Sequence, residues 1–401
     1  MQITHNNMII NAFSIKNIKM KSIILFLLLG ISTSVLGQVK IIKGRVVNAK
    51  SQEGIEFTSI GIEGTFLGTV SNTDGFFELK LPPEYQNYNI AFSSIGYNSK
   101  VYPVSQLLNQ EFARVSLEER IYEVEGVSVI GRSRVVFRIL RNVKQHIPDN
   151  YMQGTFNYQF YYLEQYSSDN SVIQSREGIV DMYDQSGYRN PSVLDAFQNR
   201  GYKFTQVKKD FASWSFPSGQ SGFDELLEMD VVRLGNTILN EGIILDYDAY
   251  IERTIPYEND SAMVISYRMA SPGLAYSGDC YATAMEGKIY VLKQSNVVIR
   301  NECIINSDKN NWQNRALFTN HNFQNNVSYR FVSVYGKIND KYILNYIECN
   351  KSYVNEKGEK MNYYRKASPV SFRQVAGGST TRNYFEDTSY IESFWNSFER
   401  P

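Results

Sequence analysis

Residues 156–162 read Phe-Asn-Tyr-Gln-Phe-Tyr-Tyr, a run in which large aromatic side chains alternate with polar ones. Successive side chains of a β-strand point to opposite faces, so a strand would place four aromatic residues on one face: Phe156, Tyr158, Phe160 and Tyr162. An α-helix would scatter the same four residues around its axis, because its period is 3.6 residues. The stretch therefore predicts a long strand whose aromatic face packs inwards.

Runs of the same kind continue towards the C-terminus, in a chain that contains 29 Tyr and 23 Phe. Short turn sequences at 339–340 and 356–358 separate the later runs, which predicts antiparallel strands joined in a meander. So many consecutive strands must curl or close to hide their edges. We therefore predict a curved antiparallel sheet or half-barrel over residues 132–384. The other strand candidates are 172–183, 243–251, 262–269, 287–292, 297–305, 327–334, 341–353 and 361–372.

Residues 38–131 show shorter strand-like runs, each bounded by turn residues. With no helical period between them, such runs predict a small β-sandwich. Asp74-Gly75 is a hairpin signal between apolar flanks, and the side chains of Phe77 and Leu79 should point into the core. The fold class is therefore mainly β, a small sandwich followed by the curved sheet. The candidate strands of the sandwich are 41–47, 60–62, 76–81, 89–92 and 113–117.

Several motifs follow one another in this first region: Lys43-Gly44-Arg45-Val46-Val47, Gly54-Ile55-Glu56-Phe57-Thr58-Ser59-Ile60, Gly64-Thr65, Gly68-Thr69, Asp74-Gly75-Phe76-Phe77 and Ser93-Ser94-Ile95-Gly96-Tyr97. Their order resembles the carboxypeptidase regulatory-like domain at the front of many Bacteroidetes envelope proteins. The resemblance implies a sandwich without catalytic residues, despite the family's name. The family often has Thr-Asp before its turn, where this chain has Ser71-Asn72. An Asn side chain can make the same contact with the turn backbone.

The second region carries a looser set of motifs: Asn150-Tyr151, Phe160-Tyr161-Tyr162, Gly287-Lys288-Ile289-Tyr290 and Phe394-Trp395. These features resemble the part that follows the regulatory-like domain in Bacteroidetes envelope proteins of unknown function. No known activity comes with that resemblance. Residues 385–401 are expected to form a C-terminal tail.

The N-terminus has the pattern of an export signal. Lys21 precedes the apolar run 23–29, and small residues stand at positions −3 and −1 before Gln38. This order predicts a cleavable signal peptide over residues 1–37, with Met20 as an alternative start. The protein would then be periplasmic or associated with the outer membrane. It is not expected to be a lipoprotein, because Gln rather than Cys follows the cleavage site, and no later stretch is long and apolar enough for a membrane helix.

A basic amphipathic helix is predicted between the two regions, from Ser133 to Ile147 and ended by Pro148. Its basic face could lie on an anionic membrane surface, which would be a peripheral contact. The favoured interpretation is a solvated face, with the apolar side packed on the neighbouring sheet. The basic residues are Arg134, Arg138, Arg141 and Lys144.

The charge balance and the cysteines exclude further classes. With 41 basic and 41 acidic residues, the chain lacks the basic excess of a nucleic-acid-binding protein, so no nucleic-acid partner is expected. Three cysteines are too few for a disulfide framework. Either one pair forms with one thiol left over, or all three are buried thiols, which is the favoured alternative. They are Cys280, Cys303 and Cys349.

The sequence offers little catalytic chemistry. His5 precedes Met20, and neither His146 nor His321 opens the ligand spacing of a zinc peptidase. No Gly-x-Ser-x-Gly elbow, Walker motif or dinucleotide fingerprint occurs. We therefore predict no catalytic residue, no metal ligand and no cofactor, and the protein is not expected to be an enzyme.

The strongest acidic cluster lies in the run 243–251 and just beyond it: Asp246, Asp248 and Glu252. Paired carboxylates separated by about 5 to 9 Å can hydrolyse glycosides, but on an exposed strand they are usually solubilising charges. We expect a non-catalytic binding or scaffolding protein of the bacterial cell envelope, whose aromatic-rich curved sheet faces a hydrophobic, glycan or protein ligand. The alternative is a carboxylate-dependent hydrolase acting on an envelope or glycan substrate.

Overall fold

The computed structural model is mainly β, as predicted. Within the residues that it describes, eighteen strands lie in three sheets and several short helices connect or cover them. The predicted signal peptide lies outside these residues, as do positions 121–131. The described residues are 39–65, 67–120, 132–169, 171–189, 199–209, 222–279, 281–309, 325–338, 340–355, 357–374, 377–380, 382–383, 390–398 and 400.

The first region is a small sandwich of two sheets around one apolar core. One sheet has the order β4-β1-β7, in which β1 and β7 run parallel, and the other has the order β3-β2-β5-β6. All five predicted strands are present; β3 and β6 were missed because both are short. Phe77 and Leu79 face the core, as predicted. The elements are β1 Lys40–Asn48, β2 Ser59–Ile62, β3 Gly68–Val70, β4 Phe76–Leu81, β5 Asn89–Ser93, β6 Lys100–Pro103, α1 Val104–Leu108 and β7 Ala113–Leu117, with a 3₁₀ turn at Pro83–Tyr85.

The Asp74-Gly75 turn connects the two sheets and is not the predicted hairpin, because β3 and β4 belong to different sheets. Asn72 Oδ1 accepts hydrogen bonds from the backbone N–H groups of Asp74 (3.0 Å) and Phe76 (2.9 Å), which is the turn contact expected for Asn. Gly75 has a φ of 82°, and a Cβ there would meet the carbonyl oxygen of Val46 at 2.4 Å. Both the conformation and the close approach therefore require glycine.

The second region is one large open sheet in the order β11-β12-β13-β14-β15-β16-β17-β8-β9-β10-β18. Ten strands are antiparallel to their neighbours, the two-residue β18 pairs parallel with β10, and the sheet does not close. The predicted antiparallel sheet is confirmed. The strands are β8 Phe156–Ser168, β9 Ser171–Asp184, β10 Arg200–Lys209, β11 Asp248–Tyr257, β12 Asp260–Met269, β13 Ala282–Leu292, β14 Val298–Lys309, β15 Asn325–Ile338, β16 Lys341–Val354, β17 Lys360–Gln374 and β18 Arg382–Asn383.

One face of this sheet, called the inner face, carries the aromatic side chains predicted to share a side. All four residues, Phe156, Tyr158, Phe160 and Tyr162, are at most 2% exposed. Phe223 packs its ring against Phe160 (5.9 Å between centroids) and against Tyr162 (5.6 Å). The aromatic stripe is therefore core, covered by other parts of the chain, and does not offer a ligand surface there.

Short helices cover the inner face. The predicted basic helix spans Arg132–Gln145 (α2) and buries Val136, Leu140 and Val143 beside β11. Its Arg134, Arg138 and Arg141 are exposed, which agrees with a solvated basic face. Pro148 lies inside the next helix, α3 Ile147–Asn150. The others are α4 Gly222–Leu227, α5 Val231–Leu234 and α6 Leu274–Ser277, with 3₁₀ turns at Thr237–Leu239 and Ile244–Asp246. The last helix, α7 Glu392–Ser397, lies on the opposite face of the sheet, where Trp395 packs against Tyr161 and Ile179.

The predicted strand over 243–251 is wrong in its first half. Asn240 initiates a turn, since its carbonyl oxygen accepts the backbone N–H groups of Ile243 (3.1 Å) and Ile244 (3.0 Å). The strand begins only at Asp248, and a bulge after Ile251 shifts the alternation again. The acidic residues of this run therefore do not occupy equivalent positions along one regular strand.

The two described cysteines do not pair. Cys303 and Cys349 are both buried, and each lies beside Phe331, on opposite sides of that residue. Two strand spacings separate them, about 10 Å, whereas the Cα atoms of a disulfide lie within about 7 Å. The prediction of buried thiols is confirmed for these two cysteines, and Cys280 lies outside the described residues.

Candidate functional site

The first region docks on the outer face of the large sheet, opposite the inner face. Glu56 and Arg300 form an ion pair (2.9 Å), and the Arg300 guanidinium lies 4.4 Å from the centre of the Phe57 ring. Phe57 also packs against Tyr346, with ring centroids 5.7 Å apart. A small apolar cluster at this point joins Phe57 and Val70 to the sheet. An ion pair and an apolar contact therefore attach the same part of the sandwich to the sheet.

A second contact joins the sandwich to the β11–β12 edge. The backbone N–H of Gly96 donates to the carbonyl of Pro256 (3.1 Å), and Arg120 donates to the carbonyl of Glu258 (3.3 Å). The sandwich is thus held at two separated places on the sheet.

An open cleft of about 660 Å³ lies between the two regions. Its walls come from β1, β3, β4 and Phe112 of the sandwich, and its floor from the outer face of β8, β15, β16 and β17. The cleft brings aromatic side chains of the sandwich above polar side chains of the sheet, so apolar and polar groups converge on the same space.

Glu348 is the centre of the floor. Its Oε2 accepts hydrogen bonds from the hydroxyls of Tyr346 (2.7 Å) and Tyr364 (2.9 Å), and its Oε1 accepts one from Arg330 (3.0 Å). Burial raises the pKa of both tyrosines, and the neighbouring Glu348 carboxylate raises each pKa further. Both hydroxyls therefore remain protonated donors, and the carboxylate is held in one orientation by three groups.

Lys366 and Asn350 extend the floor beside this carboxylate. Lys366 is the register neighbour of Glu348, and burial lowers the pKa of its amine. Among the described residues, Asn350 Oδ1 is buried and has no hydrogen-bond partner. An acceptor without a partner at the floor of a cavity is suited to a ligand or water that carries a donor.

The rim of the cleft is aromatic. Phe76 and Phe112 are 43% and 51% exposed, and their rings meet edge to face at 6.2 Å. The Arg45 guanidinium lies 5.0 Å from the centre of the Phe76 ring. Exposed aromatic rings over a polar floor can hold a ligand with one flat apolar face and one polar edge.

The predicted acidic cluster borders a second cavity of about 520 Å³ on the same outer face. Asp248 pairs with Arg268 (2.8 Å), and Glu252 pairs with Lys288 (2.9 Å). Burial alone would raise the pKa of Glu252, but hydrogen bonds from Ser266 and Lys288 outweigh it and lower that pKa.

Asp246 lies apart from the other two acids, in the 3₁₀ turn, and accepts a hydrogen bond from the Tyr276 hydroxyl (2.8 Å). The structure therefore brings Asp248 and Glu252 to one cavity and leaves Asp246 outside its lining. A general acid needs a raised pKa, which is the opposite of the shift at Glu252.

Sequence reasoning missed Glu348, Tyr364 and Arg330. The signal was present, because polar residues recur at every second position in 346–350 and 364–368. In the turn between the two strands, the backbone N–H of Gly358 donates to the carbonyl of Asn355 (3.0 Å), and the register that follows places Glu348 opposite Lys366. The packing of the sandwich against these two strands could not be predicted from the sequence.

The histidines supply no further site. His146 lies at the α2–α3 junction, with Nδ1 2.8 Å from the carbonyl of Asn142. His5 and His321 lie outside the described residues. In the part of the chain that the structure describes, no three His, Cys, Asp or Glu side chains are grouped so that they could hold a metal ion.

Comparison with known families identifies the first region. A family model of the CarboxypepD_reg-like domain matches residues 42–129, so the chain carries this domain, as its motifs predicted. Comparison with curated proteins gives no match. Within the described ranges, no helix has the length and apolar character needed to cross a membrane.

One similar solved structure is a domain from Vibrio parahaemolyticus, provisionally assigned as an outer membrane lipoprotein-sorting protein domain. It is 8% identical with a TM-score of 0.28, over 62% of this chain and 95% of the other. A likeness of this size carries no argument about fold or function.

Proposed function

We propose that the protein is a non-catalytic binding or scaffolding protein of the bacterial cell envelope, exported to the periplasm or the periphery of the outer membrane. The export pattern before Gln38 and the CarboxypepD_reg-like domain support the location. The cleft between the two regions is the proposed binding site. Peripheral contact of the α2 basic face with a membrane is a secondary element of the proposal.

The fixed carboxylate of Glu348 is the observation that carries the binding role. Three donors occupy it, so it orients the Tyr346 and Tyr364 hydroxyls and is not placed to attack a substrate or to transfer a proton. A purely hydrophobic ligand would seal Asn350 and Lys366 away from water, which is unfavourable. A glycan or a peptide segment, with an apolar face for Phe76 and Phe112 and a polar edge for the floor, fits better.

Retention of the mature protein on isolated peptidoglycan sacculi tests the binding role, because sacculi present glycan and peptide together. We expect Phe112→Ala to lower retention about tenfold, the effect of losing roughly 1.4 kcal/mol of contact. Tyr88→Ala is the matched control, since Tyr88 is an exposed aromatic of the same domain outside the cleft. Equal retention of the two variants would argue against the cleft.

The non-catalytic part of the proposal needs its own measurement. Release of reducing sugars from the same sacculi should not exceed the buffer control, because Asp248 and Glu252 are tied to cations. Release by the wild-type protein that disappears in Glu252→Gln would instead support the carboxylate-dependent hydrolase.

A further inference from the structure

The C-terminal segment occupies a groove on the outer face of β8, β9 and β17, next to the cleft. Trp395, from α7, is 3% exposed and lies in one apolar cluster with Tyr161 and Ile179. Leu163 and Val370 complete the walls of this groove. Leu163 also lines the cleft, so the groove and the cleft are continuous at this residue.

The segment enters the groove as a compact cluster of three rings. Phe398 stacks on Phe394 with ring centroids 5.0 Å apart and planes 22° apart, and it meets the edge of Trp395 at 5.6 Å. On the sheet side, the Phe398 ring lies 5.8 Å from that of Tyr161. A single helical turn thus presents anchors at positions i, i+1 and i+4, as amphipathic peptides do in hydrophobic grooves.

Polar contacts mark both ends of the docked segment. Arg400 donates two hydrogen bonds to the carboxylate of Glu177, one of them from Nη2 to Oε1 at 3.1 Å. The Tyr161 hydroxyl also donates to this carboxylate (3.0 Å), which fixes its orientation. At the other end, the backbone N–H of Ile391 donates to Gln206 Oε1 (3.2 Å). Apolar anchors with a bidentate arginine site give the groove a defined sequence preference.

The same segment also touches the CarboxypepD_reg-like domain. The Lys80 amine, on β4, lies 3.5 Å from the centre of the Phe398 ring. This cation–π contact joins the sandwich to a segment that is itself held on the large sheet. The segment is therefore a third point of attachment between the two regions.

Two features determine how firmly the groove holds the segment. α7 has six residues, far fewer than an isolated helix needs in water. Among the described residues, the buried Trp395 Nε1–H has no hydrogen-bond partner, which weakens the docking of the segment in the groove. The segment resembles a bound peptide more than an integral part of the sheet.

We propose that this groove is a peptide-recognition site for an aromatic helical turn followed by arginine. Its occupant is the chain's own segment 390–400, bound within one molecule and exchangeable with the same segment of a second copy. Attachment in one chain gives the segment a local concentration in the millimolar range, so the intramolecular form prevails in dilute solution. Exchange between copies follows when the intramolecular contact is weakened.

A fluorescein-labelled peptide with the sequence of residues 390–401, added to the full-length protein, tests the site by fluorescence anisotropy. Wild-type protein should bind it weakly, because its own segment competes. Phe398→Ala removes a partly buried ring from the segment and leaves the groove unchanged, so its apparent affinity for the peptide should be at least tenfold higher. Absence of saturable binding to this variant, with a normal circular dichroism spectrum, would overturn the proposal.

Specificity is tested with a second peptide that carries Arg400→Ala. It should bind the Phe398→Ala protein about two- to fivefold more weakly than the first peptide, because the ion pair between Arg400 and Glu177 is partly exposed. Adding Glu177→Gln to that protein should make the two peptides bind alike, because the bidentate partner is lost. If the two peptides bound equally well to the Phe398→Ala protein that retains Glu177, the groove would not recognise Arg400.

Exchange between copies is tested by sedimentation velocity with two full-length variants. Phe398→Ala supplies a groove with a weakened segment, and Glu177→Gln supplies an intact segment with a weakened groove. Mixed at about 100 μM, they should form a dimer that neither forms alone. The intact segment of the Glu177→Gln chain can then occupy the intact groove of the Phe398→Ala chain. Monomers only in the mixture would overturn the exchange with a second copy.

Discussion

The two regions of this protein stabilise their interiors in different ways. The buried core of the sandwich consists of Ile, Val, Leu, Ala and Phe side chains. The inner face of the large sheet instead buries many tyrosines together with arginine, lysine, aspartate and glutamate. An apolar core needs only burial, whereas the stability of a polar interior depends on the partners of its buried donors and acceptors. The large region should therefore be far more sensitive to pH and to single polar substitutions.

One buried network joins β9, β10 and α5. Asp184 accepts from Arg200 (3.1 Å) and from Arg233 (2.9 Å), and Arg200 also reaches Asp230 (3.1 Å). Burial would raise the pKa of Asp184, but the two arginines outweigh it and lower that pKa. Tyr335 donates to Asp230 at 3.0 Å and ties the network to the middle of the sheet.

A second network lies along β8, β9, β16 and β17. Arg176 pairs with Glu164 (2.7 Å), and Arg365 pairs with Glu225 from α4. Nearby, burial lowers the pKa of Lys351 to about 7. No comparable buried ion pair occurs among the described residues of the sandwich, where the Lys43–Glu78 pair is partly exposed.

The largest expected difference between the regions appears at alkaline pH. Among the described residues of the large region, burial raises the pKa of fifteen tyrosines above 10. The stability that they confer is therefore complete below pH 10 and is lost as pH rises through the folded-state pKa values. We expect the large region to unfold between about pH 10 and 12 while the sandwich persists. The tyrosines are Tyr151, Tyr158, Tyr161, Tyr162, Tyr166, Tyr188, Tyr247, Tyr257, Tyr267, Tyr290, Tyr335, Tyr342, Tyr346, Tyr353 and Tyr364.

Tryptophan fluorescence follows the large region through Trp395, which is buried against Tyr161 and Ile179, and residues 40–117 of the sandwich contain no tryptophan. Hydrogen exchange of amides in residues 40–117 follows the sandwich. A single transition seen by both probes would mean that the regions unfold as one unit.

Tyr158→Asp should have the largest effect among single substitutions. Tyr158 is 2% exposed and packs against Phe160 with ring centroids 4.5 Å apart. Losing the ring and burying a carboxylate should lower the free energy of unfolding by about 5 kcal/mol or more. Asn157→Asp is the control, because Asn157 is partly exposed and faces Arg373 across the strands. Similar urea midpoints for the two variants would refute the assignment of the faces.

Asp184→Asn should have the next largest effect and lower the free energy of unfolding by about 3–5 kcal/mol. It removes the buried carboxylate that Arg200 and Arg233 share, although Arg200 retains its contact with Asp230. Glu78→Gln in the sandwich removes the carboxylate of the partly exposed Lys43–Glu78 ion pair and should lower the free energy of unfolding by less than about 1 kcal/mol. Urea denaturation of both variants measures the contrast. If Glu78→Gln lowered the free energy of unfolding as much as Asp184→Asn does, the two interiors would not differ in their sensitivity to polar substitutions.

Glu56→Ala should have the smallest effect. Its ion pair with Arg300 is partly exposed, with the Glu56 side chain at 44%, so its loss should cost about 0.2–1 kcal/mol. The expected signature is a wider separation between the transitions of the two regions in the experiments above. A loss above about 2 kcal/mol would show that this pair contributes more to docking than an exposed pair does.

The sequence predicts local features of this fold well and distant ones poorly. The period of two in 156–162 was sufficient to assign the buried face of β8. The strand predicted from Ile243 was wrong because the turn at Asn240 outweighed the alternation. The cleft could not be predicted, because Glu348 and Phe112 meet only through the docking of two regions, and nothing local to either residue encodes that contact.

The pairing of β8 with β17 has a consequence for the order in which the chain acquires its structure. Glu164 and Tyr363, which contact each other across these strands, are 199 residues apart in the sequence. During synthesis, β8 can form its hairpin with β9 at once, but its other edge has no neighbour until almost the whole chain has been made. Closing so long a loop is slow, and an open strand edge favours aggregation meanwhile. The yield of folded protein should therefore depend on factors that shield this edge during the interval.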